Sequence, residues 1–297
     1  MLESARRKGL AVLFAGLCLV SAIFIAGCKK NDNNPVSSSS TVSDDVSDAA
    51  NSVSDALASN NGGAMDQVND VFEIAGGVGI GGGVLGKTDG APAMTGAVYD
   101  TASKSWTMML VKGDSALLPL YYGYWTRNYW LQFRAGGQPQ KFRITNGILA
   151  DTILHSLTSG TGYFWTPRLV HHLLSIGSSW SATRSTSDTS MISVNGTYFR
   201  SGVDTMYVIG TRTPNGRVLQ DSLALTFQNV TGPRGARYAR SEKTSGTIVV
   251  YFHAVVTAKN GTTHTVTETF TITLSNGYAE FTIGGTGFKA DLGSGDH

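Results

Sequence analysis

The chain has 297 residues, 41% hydrophobic and 15% charged, which is enough apolar material for one large domain or two small ones and too much for a disordered or collagen-like chain. Lys and Arg number 23 against 21 Asp and Glu, a formal +2 that argues against a nucleic-acid surface. The 36 glycines predict many turns.

Arg6, Arg7 and Lys8 precede an unbroken apolar and small run from Gly9 to Ala26, the basic and greasy parts of an export signal. The run ends in Ile25, Ala26, Gly27 and Cys28. This arrangement resembles the lipobox of bacterial lipoproteins. The resemblance implies cleavage before Cys28, a thioether-linked diacylglycerol on its sulfur and acylation of the new amino terminus. Lys29, rather than Asp, after the cysteine resembles the pattern of outer-membrane lipoproteins. With each buried methylene contributing about 0.8 kcal/mol, several acyl chains make a durable membrane anchor. The processing that the resemblance implies removes Cys18 with the signal and caps Cys28 with lipid, which leaves no free thiol in the body for disulfides, cysteine metal sites or thiol nucleophiles. Glu3, Arg6, Arg7 and Lys8 leave too, and the remaining formal charge balances.

The expected organisation is a signal peptide over 1–27, a lipidated flexible tether over 28–41, a helical segment with a Gly-rich connector over 42–90, and an antiparallel β domain over 91–297. The tether is polar and low in complexity, with four serines from Ser37. Apolar residues at Val46, Ala49, Val53, Ala56 and Leu57 predict a helix over Ser43–Ala58, and Val68, Val71, Phe72 and Ile74 predict a second over Met65–Ile74, stopped by Gly76 and Gly77. Gly81, Gly86, Lys87 and Thr88 match a phosphate loop letter for letter. Gly90 and Pro92 follow at once and no βαβ pattern appears, so Gly81–Thr88 reads as a connector and no nucleotide is expected.

After Pro92, short alternating runs rich in Val, Ile, Thr, Tyr and Phe are broken by glycine turns, the texture of an antiparallel meander. The expected fold is mainly β, a curved sheet, open barrel or sandwich, with the two helices packed against it or over one end. Two-residue turns name cross-strand partners. A turn at Asn260 and Gly261 pairs Val255 with Val266, His253 with Glu268 and Tyr251 with Phe270. One at Asn276 and Gly277 pairs Leu274 with Ala279 and Ile272 with Phe281. One at Gly284 and Gly285 pairs Phe281 with Phe288, Ala279 with Ala290, and Glu280 with Lys289. The alternate residues Thr263 to Thr273 form a threonine ladder on the other face. A turn at Arg127 and Asn128 sets Tyr124 against Leu131, and a turn at Gly136 and Gly137 sets Leu131 against Phe142. Their reverse face carries Trp125, Trp130, Gln132, Arg134, Lys141 and Arg143, the best candidate binding surface.

No nucleophile motif or paired-carboxylate arrangement is present, and the chain is read as non-enzymatic. His171 and His172 are adjacent and point to opposite faces, so no metal is expected from them. His253 and Glu268 form an expected polar pair on the apolar face. That pair, set against lipid, also argues against a transmembrane barrel. No cofactor is expected. The leading expectation is a lipid-anchored protein of the cell envelope, at the outer membrane, that binds an apolar or lipid ligand with Tyr251, Phe270, Phe281 and Phe288. The alternatives are a glycan-binding or adhesion module using Trp125, Trp130 and Arg134, and a purely structural component.

Overall fold

A computed structural model describes residues 39–77, 97–118, 121–185, 188–208, 211–235 and 243–297. The export signal, Cys28, the tether as far as residue 38 and the Gly81–Thr88 match lie outside the described residues.

Two helices come first, α1 (Ser39–Leu57) and α2 (Ala64–Gly76). Helix α1 begins within the serine run assigned to the tether. Helix α2 ends at Gly77, whose φ of 89° lets its N–H reach back to the Glu73 and Ile74 carbonyls. Fourteen strands follow: β1 (Val98–Asp100), β2 (Ser105–Leu118), β3 (Tyr121–Ala135), β4 (Gln138–Gln140), β5 (Ile144–Thr145), β6 (Ile148–Leu149), β7 (Thr152–Trp165), β8 (Leu169–Arg184), β9 (Met191–Tyr207), β10 (Pro214–Pro233), β11 (Ser245–Thr257), β12 (Thr263–Ser275), β13 (Tyr278–Ile283) and β14 (Thr286–Asp291). All but β5 and β6 form one antiparallel sheet in the order β1-β2-β3-β7-β8-β9-β10-β11-β12-β13-β14, with β4 folded back on β3. The sheet is curved and not closed. Register shifts at Asn128/Tyr129, Leu173/Ser175 and Gln228/Thr231 mark bulges, which bend and coil long strands.

The concave side holds the helices. Every residue from Asp48 to Ala58 and from Ala64 to Ala75 is buried, so α2 and α1 from Asp48 onward are enclosed all round, while Asp44 and Ser47 in the earlier part of α1 are exposed. Val53, Leu57, Val68 and Phe72 meet inward sheet residues such as Trp180, Tyr198, Phe227 and Phe252 in one core. Trp180 and Phe227 pack edge-on with ring centroids 4.8 Å apart. No helix among the described residues is long and apolar enough to cross a membrane.

Three expected pairings are corrected. Arg127 and Asn128 do not turn; β3 runs straight through them and pairs along its length with β2 and β7. Trp125 and Trp130, five positions apart on one continuous strand, therefore face opposite sides. The Gly136–Gly137 turn is present, but its ladder stops at Phe133 with Gln140, and Leu131 lies opposite Trp106 and His155 instead of Phe142. The third correction is at Asn260 and Gly261. Ala258 N–H bonds the Thr262 carbonyl at 2.8 Å, leaving a three-residue loop with Gly261 at φ 82°. One extra loop residue slips the register by one and exchanges faces. Tyr251 then lies opposite Thr269, His253 opposite Thr267 and Glu268 opposite Phe252. Ile248, Val250, Phe252, Ala254 and Val256 are the buried side of β11. Glu268 shares its side of β12 with Ile272 and Leu274, so the argument against a transmembrane barrel from an outward Glu268 falls.

The last two hairpins keep the expected register: Leu274 lies opposite Ala279, Ala279 opposite Ala290, Phe281 opposite Phe288 and Glu280 opposite Lys289. Pairing of β12 with β13 stops at Thr273–Glu280, however, and Ile272 gains no partner in β13. The threonines from Thr263 to Thr273 are all exposed, as a ladder on the outer face.

Candidate functional site

Three places carry unusual chemistry. The first is the polar seam between helices and sheet. Arg217 of β10 pairs with Asp45 and Asp48 of α1, and Arg168, between β7 and β8, pairs with Asp55 of α1 and with Asp296. Arg127 of β3 reaches Asp66 of α2 at 3.2 Å and the Gly62 carbonyl. Burial pushes the Asp48 and Asp55 carboxyls up to about 6, outweighing the arginines that draw them down. Gln67 of α2 accepts hydrogen bonds from Ser178 and, at 3.3 Å, from Trp180 Nε1.

Within this seam lies a tighter cluster. His171 of β8 donates from Nδ1 to Asp204 of β9, while Arg200 Nη2 sits 3.8 Å from both Asp204 and Asp221. Arg200 also donates to the Ser52 carbonyl at 3.0 Å and to its hydroxyl at 3.2 Å. The His171 ring stacks on Phe164 with centroids 5.0 Å apart, and its other edge fills the space at Gly202, where a Cβ would lie 2.4 Å from Cε1. Burial, then the nearby Arg200, lowers the His171 pKa, so the imidazole is neutral. Burial raises the Asp204 carboxyl, but its neighbours outweigh it and hold the group below the ordinary range. Burial and the adjacent Asp204 push Asp221 up to about 7. His171, Asp204 and Asp221 could each offer a cation one atom, all within 4.8 Å of one another. Arg200 already supplies a positive charge between the two carboxylates, and Gly202 closes the free edge of His171. The cluster reads as a balanced internal network rather than an open metal centre.

The second place is a groove of about 560 Å³ where the β13–β14 hairpin parts from β12. Phe270, Phe281 and Phe288 stack along it with successive centroids 5.6 Å apart and planes within 26°. Glu280 and Lys289, paired at 3.0 Å, stand at its rim, and Lys289 covers the Tyr278 ring. The hairpin is held over α1 at its tip, because Gly284 rests on Val46.

The third is a smaller groove of about 300 Å³ on the convex face, lined by Trp130, Leu154, Ser156, Ser179, Ser181 and Asn195, with Trp180 and Gly196 beneath them.

The sequence-derived residues distribute as follows. Phe270, Phe281 and Phe288 come together in the first groove. Tyr251 does not join them; it is 45% exposed on the convex side. Trp125 is buried beside Arg127, with the guanidinium 4.8 Å from its ring, and so does not stand beside Trp130 on a common platform. Arg134 is half-buried and donates to Gln132 at 2.7 Å. His253 faces outward and bonds Thr267 Oγ1 at 2.9 Å, so the pair with Glu268 does not form. His171 is buried and His172 exposed, on opposite faces as alternation requires. The inward charges Arg127, Arg168, Arg200, Arg217, Asp204 and Asp221 were missed from sequence. Their signal was parity: Tyr198, Arg200, Asp204 and Met206 share one side of β9.

No family model, curated protein or solved structure matches this chain.

Proposed function

We propose that this chain is a lipid-anchored cell-envelope protein, held at the outer membrane through acyl chains on Cys28, that is not an enzyme and that binds an apolar ligand in the groove between β12 and the β13–β14 hairpin. The observation that carries the reading is the stack of Phe270, Phe281 and Phe288 along an open groove of about 560 Å³ with Lys289 at its rim. That size and the three phenyl rings, with the paired Glu280 and Lys289 at the rim, suit an acyl chain bearing a polar head. The concave side of the sheet is not the binding volume, since α1 and α2 fill it with packed apolar groups and ion pairs.

The test is mass spectrometry of lipids copurifying with the body from residue 30 onward, with and without Phe288→Asp. The reading expects fatty acid or phospholipid bound near one per chain, reduced by the variant. No bound lipid, or binding that Phe288→Asp leaves unchanged, overturns it. Acylation is tested separately, by the loss of membrane attachment in Cys28→Ala.

A further inference from the structure

The strands place their charges in an unusual way. From β7 to β12 the charged inward residues include Arg200, Asp204, Arg217, Asp221 and Glu268. The outward residues of these strands are Ser, Thr, Val, Tyr, Phe, Gln, Asn, Leu, Trp, Ala, Gly, Met and Pro, with His172 and His253 as the titratable members besides tyrosine. Soluble surfaces are ordinarily about a quarter to a third Lys, Arg, Glu and Asp. This convex face offers hydroxyls, amides and scattered rings without a Lys, Arg, Asp or Glu on the outward side of those six strands.

At one point the neutral face is indented. Trp130 on β3 lies opposite Ser156 on β7, which lies opposite Ser179 on β8. One rung further along, Leu154 lies opposite Ser181, and Ser181 opposite Asn195. Neighbouring strands are about 4.8 Å apart, so the row from Trp130 to Ser179 runs about 10 Å. The depression lies where the outward side chains between Trp130 and Asn195 are the short Ser156, Ser179 and Ser181. No hydrogen bond within the protein engages the hydroxyls of Ser156, Ser179 and Ser181 among the described residues, and they stand as free donors and acceptors beside the Trp130 ring.

We propose that the convex face, centred on this groove, is a docking surface for a neutral polysaccharide chain. An indole face packs against the C–H face of a sugar ring, and flanking hydroxyls and an amide exchange hydrogen bonds with its hydroxyl groups. The uncharged outward side of β7 to β12 matches an uncharged polyol and mismatches an anionic polymer, with Arg134 of β3, bonded to Gln132, standing at the margin of the groove. A bilayer is a poor occupant, because the Ser, Thr, Asn and Gln side chains would enter hydrocarbon without partners. This site is distinct from the Phe270 groove, and its outcome does not depend on lipid binding there.

The full chain in nonionic detergent is run through native gels cast with dextran, mannan or galactan, and with polygalacturonate as the anionic comparison. Retardation by at least one neutral polysaccharide is expected, unchanged between low salt and 1 M NaCl, and weaker with polygalacturonate. Trp130→Ala should weaken it at least about tenfold, equivalent to roughly 1.4 kcal/mol. Ser179→Lys, a change at an exposed position, should do the same without altering the fold. The proposal is overturned by retardation with none of the neutral polymers, by retardation that salt abolishes, or by retardation indifferent to both variants. Tighter binding to vesicles containing a glucosyl diacylglycerol than to the free polysaccharides would also overturn it in favour of a glycolipid headgroup.

Discussion

Replacing Arg168 with Met tests whether the helices are held by true ion pairs. The Asp55 side chain is fully buried, and its other partners are the Thr166 hydroxyl at 2.9 Å and the Asn61 amide at 3.1 Å. At pH 8 the wild-type carboxyl, with its pKa near 6, is ionised against Arg168. Removing the guanidinium leaves a buried carboxylate uncompensated, a loss of about 3–5 kcal/mol. At pH 5 the wild-type carboxyl is already mostly protonated, so Arg168 balances little charge there. What Arg168→Met then removes is a hydrogen bond to the Ser294 carbonyl and the pair with Asp296, whose side chain is 59% exposed. Together these contribute about 1–2 kcal/mol. Urea unfolding followed by circular dichroism at the two pH values should show the larger loss at pH 8. Comparing variant with wild type at each pH cancels the titration of groups far from position 168. Asp296→Asn is the control and should cost under about 1 kcal/mol at either pH. Equal losses at pH 5 and pH 8, or a larger loss at pH 5, would refute the account of Asp55.

Three further outcomes follow from the interior. Asp221, with its folded pKa raised to about 7, contributes stability that is complete below its unfolded pKa and is lost as pH rises through 7. Asp221→Asn should therefore remove about 1.4 kcal/mol of the difference between pH 6 and pH 8, measured by urea titration of both proteins. His155 is fully buried with neither ring nitrogen bonded, and burial pushes its pKa down to about 3. His155→Phe should raise the melting temperature, with a gain of about 1–3 kcal/mol from no longer burying an unsatisfied imidazole, and a lower melting temperature would count against that view. Gly232→Ala would set a Cβ 2.4 Å from the Phe72 ring of α2, and calorimetry should record a loss of about 1–3 kcal/mol.

The sequence was most informative where local chemistry alone decides geometry. At Asn276–Gly277 and Gly284–Gly285 both turn residues take positive φ, so a two-residue loop forms and the expected register of β13 and β14 is found. Asn260–Gly261 carries the same letters, yet only Gly261 has positive φ, and the loop gains a third residue. Dipeptide identity does not distinguish those two solutions; burial of Phe252 rather than Tyr251 does, and that depends on what lies inside the curve. The helices were legible from spacing, but their position was not. Asp48, Asp55 and Asp66 look like an ordinary solvated stripe until Arg217, Arg168 and Arg127 are known to point inward from strands far along the chain. The groove at Phe270 was partly legible, because three of its rings follow from the last two hairpins. The Trp130 groove was not, because the inferred turn at Arg127 and Asn128 folded β3 in half.

Helices enclosed by a meander also bear on how the chain acquires its structure. Each strand from β7 to β12 pairs with the next in sequence, so the sheet is assembled from closures between neighbours. The bonds that hold α1 in place are of another kind: Arg200 to Ser52 spans 148 residues, Arg217 to Asp48 spans 169 and Arg217 to Asp45 spans 172. Such separations raise contact order, and closing them carries an entropic cost that nearby hairpins do not meet. The helices are made before the strands, yet α1 finds its partners Arg200 and Arg217 only after about two-thirds of the chain has been made. Until then their apolar faces have nowhere to go, so the segment that ends at the centre of the molecule must be kept from self-association for longer than any strand that surrounds it.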